Sequence, residues 1–118
     1  MIKFENKHIY LACGNTDMRK SIDGLAAIVE SSFKLSPFDT AAFVFCNRNR
    51  DRLKILEWDG NGFWLYFKRL ENGRFKWPLE SGNEVTMSFS SEELSLLLDS
   101  PKVIQKLLRR EIKAGVAV

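Results

Sequence analysis

From Ala42 to Trp77 the chain alternates short apolar runs with turn signals, and this pattern constrains the fold more than any other feature. Ala42–Cys46, Leu53–Trp58, Phe63–Arg69 and Arg74–Trp77 are rich in aromatic and β-branched residues. Between them lie Arg48–Asp51, then Asp59-Gly60-Asn61-Gly62, then Glu71-Asn72-Gly73. Asp-Gly and Asn-Gly dipeptides suit left-handed turn positions that most side chains adopt only at a cost. Strands joined by such turns form sequential hairpins, so the pattern predicts an antiparallel meander.

The flanks combine short strands with helices. His8–Cys13 is a short apolar strand that leads into Gly14-Asn15, a turn signal. Thr16 or Asp17 then offers a side-chain oxygen to cap a helix. Met18, Ile22, Leu25, Ala26, Val29 and Phe33 follow at helical spacing as one apolar stripe. Gly24 inside it marks close backbone packing, and Ser36-Pro37 sets the latest point at which the helix ends. After Pro78, Glu84–Phe89 reads as a last short strand. Ser90-Ser91-Glu92-Glu93 matches a capping box ahead of Leu94, Leu96, Leu97 and Leu98. Ser100-Pro101 opens another helix, with Val103, Ile104, Leu107 and Leu108 on its apolar face. The expected architecture is a single α+β domain over residues 1–118. It has an antiparallel meander of about four to six strands, one helix near the N-terminus and two short helices in a C-terminal extension over about 90–114.

With 118 residues, 45% hydrophobic and 28% charged, the chain has enough apolar mass for one packed core and is not of disordered composition. The longest stretch without a charged residue is His8–Thr16, far short of the roughly 20 apolar residues of a membrane span. Residues 1–7 lack the apolar run of a signal peptide. Cys13 and Cys46 fit neither a redox nor a zinc-ligand spacing and are expected to be reduced thiols in or near the core. A cytoplasmic location is the expectation.

Catalytic signatures are sparse. His8 is the sole histidine, and no nucleophile elbow or phosphate-cradling glycine loop accompanies it. Asp17, Asp23, Asp51 and Asp59 fall in cap, helix and turn contexts that already account for them, so no metal site, no cofactor and no enzymatic activity are expected. The charge is distributed unevenly about its net +3. Residues 48–76 carry eight cations against four carboxylates, 77–101 carry five carboxylates and no Lys or Arg, and 102–118 carry five cations and one Glu. Arg48, Arg50, Arg52 and Lys54 recur at every second position, which in an extended chain places all four on one side. Trp64, Tyr66 and Lys68 share one face of the next strand, with Phe63, Leu65 and Phe67 on the other. Arg74 and Lys76 alternate with Phe75 and Trp77. Cations beside aromatic faces suit phosphates and unpaired bases. Ordinary charge segregation, with Trp64 and Tyr66 beneath a helix, explains the same pattern, and both readings stand at this point. The cations Lys102, Lys106, Arg109, Arg110 and Lys113 carry the same two readings.

Four blocks resemble a known family. They are Tyr10–Ala26 with its Thr16-Asp17-Met18-Arg19-Lys20 centre, Phe43–Leu56 with Asn47-Arg48-Asn49-Arg50-Asp51-Arg52-Leu53-Lys54, then Trp58–Gly62, then Lys68–Pro78. In this order, over roughly residues 9–80, they resemble the TnpB accessory proteins, products of the second open reading frame in the IS-sixty-six group of bacterial insertion sequences. The tail 101–118 matches no motif of that family. The resemblance implies an accessory, non-enzymatic role in transposition, beside a separate and larger transposase that cuts and joins strands. It makes Thr16–Lys20 and Arg48–Lys54 the first choices for a functional surface. In the leading reading Arg48, Arg50, Arg52 and Lys54 contact DNA at the element ends, and Lys68, Arg69, Arg74 and Lys76 extend the patch. The alternative is an adaptor that grips the transposase through Asp17, Arg19, Lys20, Trp64 and Tyr66 without touching DNA.

Overall fold

A computed structural model describes residues 4–80 and 82–99 of the chain. Among the described residues, five strands and two helices follow in the order β1 (His8–Ala12), α1 (Ile22–Ser31), β2 (Ala41–Cys46), β3 (Arg52–Trp58), β4 (Phe63–Arg69), β5 (Thr86–Phe89) and α2 (Ser91–Asp99). One sheet holds all the strands in the order β4-β3-β2-β1-β5. The expected α+β class therefore stands, and β2-β3-β4 is the meander the turn dipeptides predict. The sheet is mixed rather than wholly antiparallel. Helix α1 carries the chain back between β1 and β2, so these two strands run parallel, with Tyr10 opposite Phe43. Strand β5 returns antiparallel to the far side of β1.

Alternation along the strands sends side chains to two cores, one on each face. Leu25 and Val29 of α1 close the first over Ala41, Phe43, Phe45 and Leu56. Leu94, Leu97 and Leu98 of α2, with Phe75 and Trp77, close the second over Ile9, Leu11, Val44, Cys46 and Ile55. Both cysteines are buried free thiols, and burial pushes the Cys46 thiol up to about 12.

Three further expectations are corrected. Arg74–Trp77 is not a strand. The chain has to travel from β4 at one edge to β5 at the other, and this segment is the crossing. Phe75 and Trp77 still point inward and Arg74 and Lys76 outward, but the backbone is held singly: Phe75 N donates to Arg50 O (2.7 Å), and Gly14 N to Pro78 O (2.8 Å). Trp77 Nε1 also donates to Ala12 O (2.7 Å). Nor does the first helix begin at Thr16 or Asp17. It begins at Ile22, behind Ser21, and the loop before it is held instead by Lys54 Nζ, which donates to the carbonyl oxygens of Met18 (2.8 Å) and Lys20 (2.9 Å). Finally, the close neighbour of Gly24 is no second backbone but the Lys20 side chain.

The capping box is present as read. Ser90 Oγ accepts from Glu93 N (3.1 Å) and Glu93 Oε1 accepts from Ser90 N (3.0 Å). The expected second C-terminal helix, with its basic residues, falls outside the described residues. No helix among the described residues is long and apolar enough to cross a membrane.

Candidate nucleic-acid interface

Because β1 and β2 are parallel, their C-terminal ends fall at the same end of the sheet, the side on which loops of α/β arrangements commonly carry binding residues. The loop 13–20 leaves β1 there, and the turn 47–51 joins β2 to β3. The end of β4 and the crossing segment 70–77 meet them. Leu70 N donates to Asp51 O (2.7 Å), Phe75 N to Arg50 O, and Thr16 N to Cys46 O (2.8 Å). The two blocks singled out in the sequence, Thr16–Lys20 and Arg48–Lys54, are thus adjacent in space.

Asn47 builds the turn. Its Oδ1 accepts from the amides of Asp51 and Arg52 (3.0 Å each), and its Nδ2 donates to Asp51 Oδ1 (2.7 Å). The Asn47 amide, followed by the charges of Arg52 and Arg74, holds the Asp51 carboxyl below the ordinary value. Arg50 sits in the left-handed region at φ 62°, and its Nη1 donates to Trp77 O (2.8 Å). This overturns the even alternation expected of Arg48, Arg50, Arg52 and Lys54. Arg48 and Arg50 belong to a turn, and only Arg52 and Lys54 share a strand face.

The predicted cations therefore divide by occupation. Arg50 and Lys54 are spent on backbone carbonyls, half-buried. Lys68 points to the α2 face, where its Nζ bonds to Leu98 O. Arg52 pairs with Asp51 (3.3 Å) and Arg69 with Glu71 (2.7 Å). Arg48, Arg74 and Lys76 are exposed, and no hydrogen bond or ion pair engages them among the described residues. The proposed adaptor residues also divide. Arg19 grips Asp17 through Nη2 (2.7 Å) and Nε, which lowers the Asp17 carboxyl to about 2, and Lys20 is exposed beside them. Trp64 and Tyr66 lie on the opposite face of the sheet. Trp64 is 54% exposed with Nε1 donating to Asp59 Oδ2 (2.6 Å). Tyr66 is half-buried and donates its hydroxyl to Glu57 Oε1 (2.9 Å).

Between loop 13–20 and β3-β4 runs a shallow groove of about 590 Å³, lined by Asp17, Met18, Arg19, Asn47, Arg52, Lys54 and Phe67. Three of these were missed in the sequence. Met18 was assigned to a buried helical stripe, and Phe67, 54% exposed, looks like any inward strand residue. Asn47 carries the one usable signal, an amide side chain that opens a turn. No group of three or more His, Cys, Asp or Glu side chains among the described residues is placed to hold a metal ion.

A family model described as IS66 Orf2-like protein matches residues 7–107, a span that takes in both halves of this site and extends beyond the four sequence blocks. The chain belongs to that family, which makes it an accessory protein of an insertion sequence. Among curated relatives, "Uncharacterized protein y4hO" of Sinorhizobium fredii (strain NBRC 101917 / NGR234) is 40% identical over 94 residues, 80% of each chain. "Uncharacterized protein y4jC" of the same strain is 37% identical over 110 residues, 91% of this chain and 92% of the relative. No solved structure matches.

Proposed function

We propose that the chain is a non-enzymatic transposition factor that binds DNA through the basic end of its sheet and assists the separate transposase of its element. The observation that carries this reading is the convergence of Arg48, Arg74 and Lys76. The turn and the crossing segment that bear them are joined by the bonds between Arg50 and residues 75 and 77. Exposed cations held in no ion pair are the ones that neutralise phosphates and release counterions; of the three, Arg74 lies close enough to Asp51 to lower its carboxyl. Arg52 and Arg69, one on each of two paired strands, flank them with their charges already offset. The contacts are to the backbone of DNA, which positions a protein without reading sequence.

A second reading is favoured by the groove. Arg19 and Arg52 each hold a carboxylate there, and Met18 and Phe67 supply an apolar centre, a composition closer to a protein contact than to a phosphate track. In that reading the groove takes a segment of the transposase.

Fluorescence anisotropy of labelled element-end duplex, with scrambled duplex as control, separates the two. Salt-sensitive binding by the protein alone supports the DNA reading. Absence of binding alone, with tighter transposase–DNA association when the protein is added, discards it in favour of the adaptor.

A further inference from the structure

Strand β4 is the edge of the sheet, and nothing among the described residues pairs with its outer side. An edge of seven regular residues without Pro or bulge is a template for another strand. The opposite edge, β5, has four residues. The two cations that would guard β4 are both tied down, Lys68 on Leu98 O and Arg69 on Glu71.

The bonds at the two ends of the β3–β4 hairpin settle which backbone groups face outward. Asp59 N donates to Gly62 O and Leu70 N to Asp51 O, so even-numbered residues of β4 bond to β3 and the odd-numbered ones turn away. Phe63, Leu65, Phe67 and Arg69 therefore present their amides and carbonyls to solvent. A second copy of β4, antiparallel about a two-fold axis at Tyr66, satisfies all of them. Phe63 then faces Arg69 of the second copy, and Leu65 faces Phe67. In the intervening, closer pairs Trp64 faces Lys68 and Tyr66 faces itself. The half-exposed apolar Phe67 gains an apolar partner on one face, and the half-exposed Trp64 gains the hydrocarbon stem of Lys68 on the other.

We infer that the chain forms a two-fold dimer by pairing β4 with β4 of a second copy, continuing the sheet to ten strands with Trp64 opposite Lys68. The pairing is isologous and closes on itself, so it gives dimers and not filaments. It is independent of whether the basic end binds DNA. The DNA site would be present twice, at opposite ends of the shared sheet.

Sedimentation equilibrium of the full chain at micromolar concentrations reads the mass directly, and twice the 13.6 kDa of one chain is expected. Trp64→Arg sets like charges opposite each other twice by symmetry, and should weaken the dimer about tenfold or more. Adding Lys68→Glu to it restores opposite charges and should recover association. Amide hydrogen exchange of the unaltered protein needs no variant: the amides of Phe63, Leu65, Phe67 and Arg69 should be protected in the dimer and lose protection on dilution. A monomer at all concentrations overturns the inference, as does fast exchange at these four amides. A dimer indifferent to Trp64→Arg also overturns it, because the interface is then elsewhere.

Discussion

At the level of single residues, the described cations divide into those bonded within the fold and those left exposed. Lys54 holds two carbonyl oxygens of the loop that precedes α1, so Lys54→Met should cost about 1.5–3 kcal/mol, the range for hydrogen bonds to charged groups. Arg48→Ala, which removes an exposed side chain without a partner, should stay within about 0.5 kcal/mol of the unaltered protein. Urea unfolding of both variants checks the contrast. In the sequence the two residues look alike, members of one alternating row. What separates them is the left-handed Arg50, a conformation that side chains other than Gly, Asn and Asp rarely take and that residue type alone does not announce. Asn47 anchors that turn by bonding forward to residues 51 and 52.

At the scale of elements, legibility follows how local the cause is. The limits of β4 are those of its apolar run, since Asp-Gly-Asn-Gly on one side and Asn-Gly on the other act within a few residues. Gly60 at φ 105° and Gly73 at φ 80° take the left-handed positions those dipeptides suit. The cap of α2 is equally local, and Ser90→Ala should lower stability by about 1 kcal/mol through the lost bond to Glu93 N, read as a shift in the urea midpoint. The late start of α1 goes with a loop held by Lys54, which lies 34 residues or more away along the chain. For Arg74–Trp77, too, the local pattern falls short. A segment that buries alternate side chains has the period of a strand whether or not another strand lies beside it. The parallel pairing of β1 and β2 depends on which edge the chain returns to after α1, and no local pattern carries that.

For the whole molecule, two titrating groups report on the second core. Burial pushes the Cys46 thiol from 9.0 to about 12. Burial, then the Glu57 carboxylate, pushes the Tyr66 hydroxyl from 10.0 to about 12. In both, the folded state holds the proton more tightly than the unfolded chain does. Their contribution is complete below about pH 9 and is lost as pH rises toward about 12. The urea midpoint should therefore be lower at about pH 11 than at about pH 8, and Cys46→Ala should reduce the slope between them. Half of the candidate site was legible at this scale: the blocks 16–20 and 48–54 were both singled out, and they meet. That they form one wall each of a groove, with Phe67 between, depends on the sheet order. Arg74 and Lys76 were read as an extension of a single basic stripe along with Lys68. The crossing segment instead keeps them at the basic end of the sheet, and alternation along β4 sends Lys68 to the α2 face.

In the DNA-binding reading we propose, the exposed cations, and not those spent on carbonyls and carboxylates, meet the phosphates. The most direct test of that reading is the salt dependence of duplex binding for the unaltered protein and for the triple variant Arg48→Ala, Arg74→Ala, Lys76→Ala. At about 0.9 of slope for each phosphate contact removed, the variant should bind more weakly with a slope smaller by about 2–3. An unchanged affinity and slope would contradict the claim and leave the groove, with its paired arginines, as the working surface.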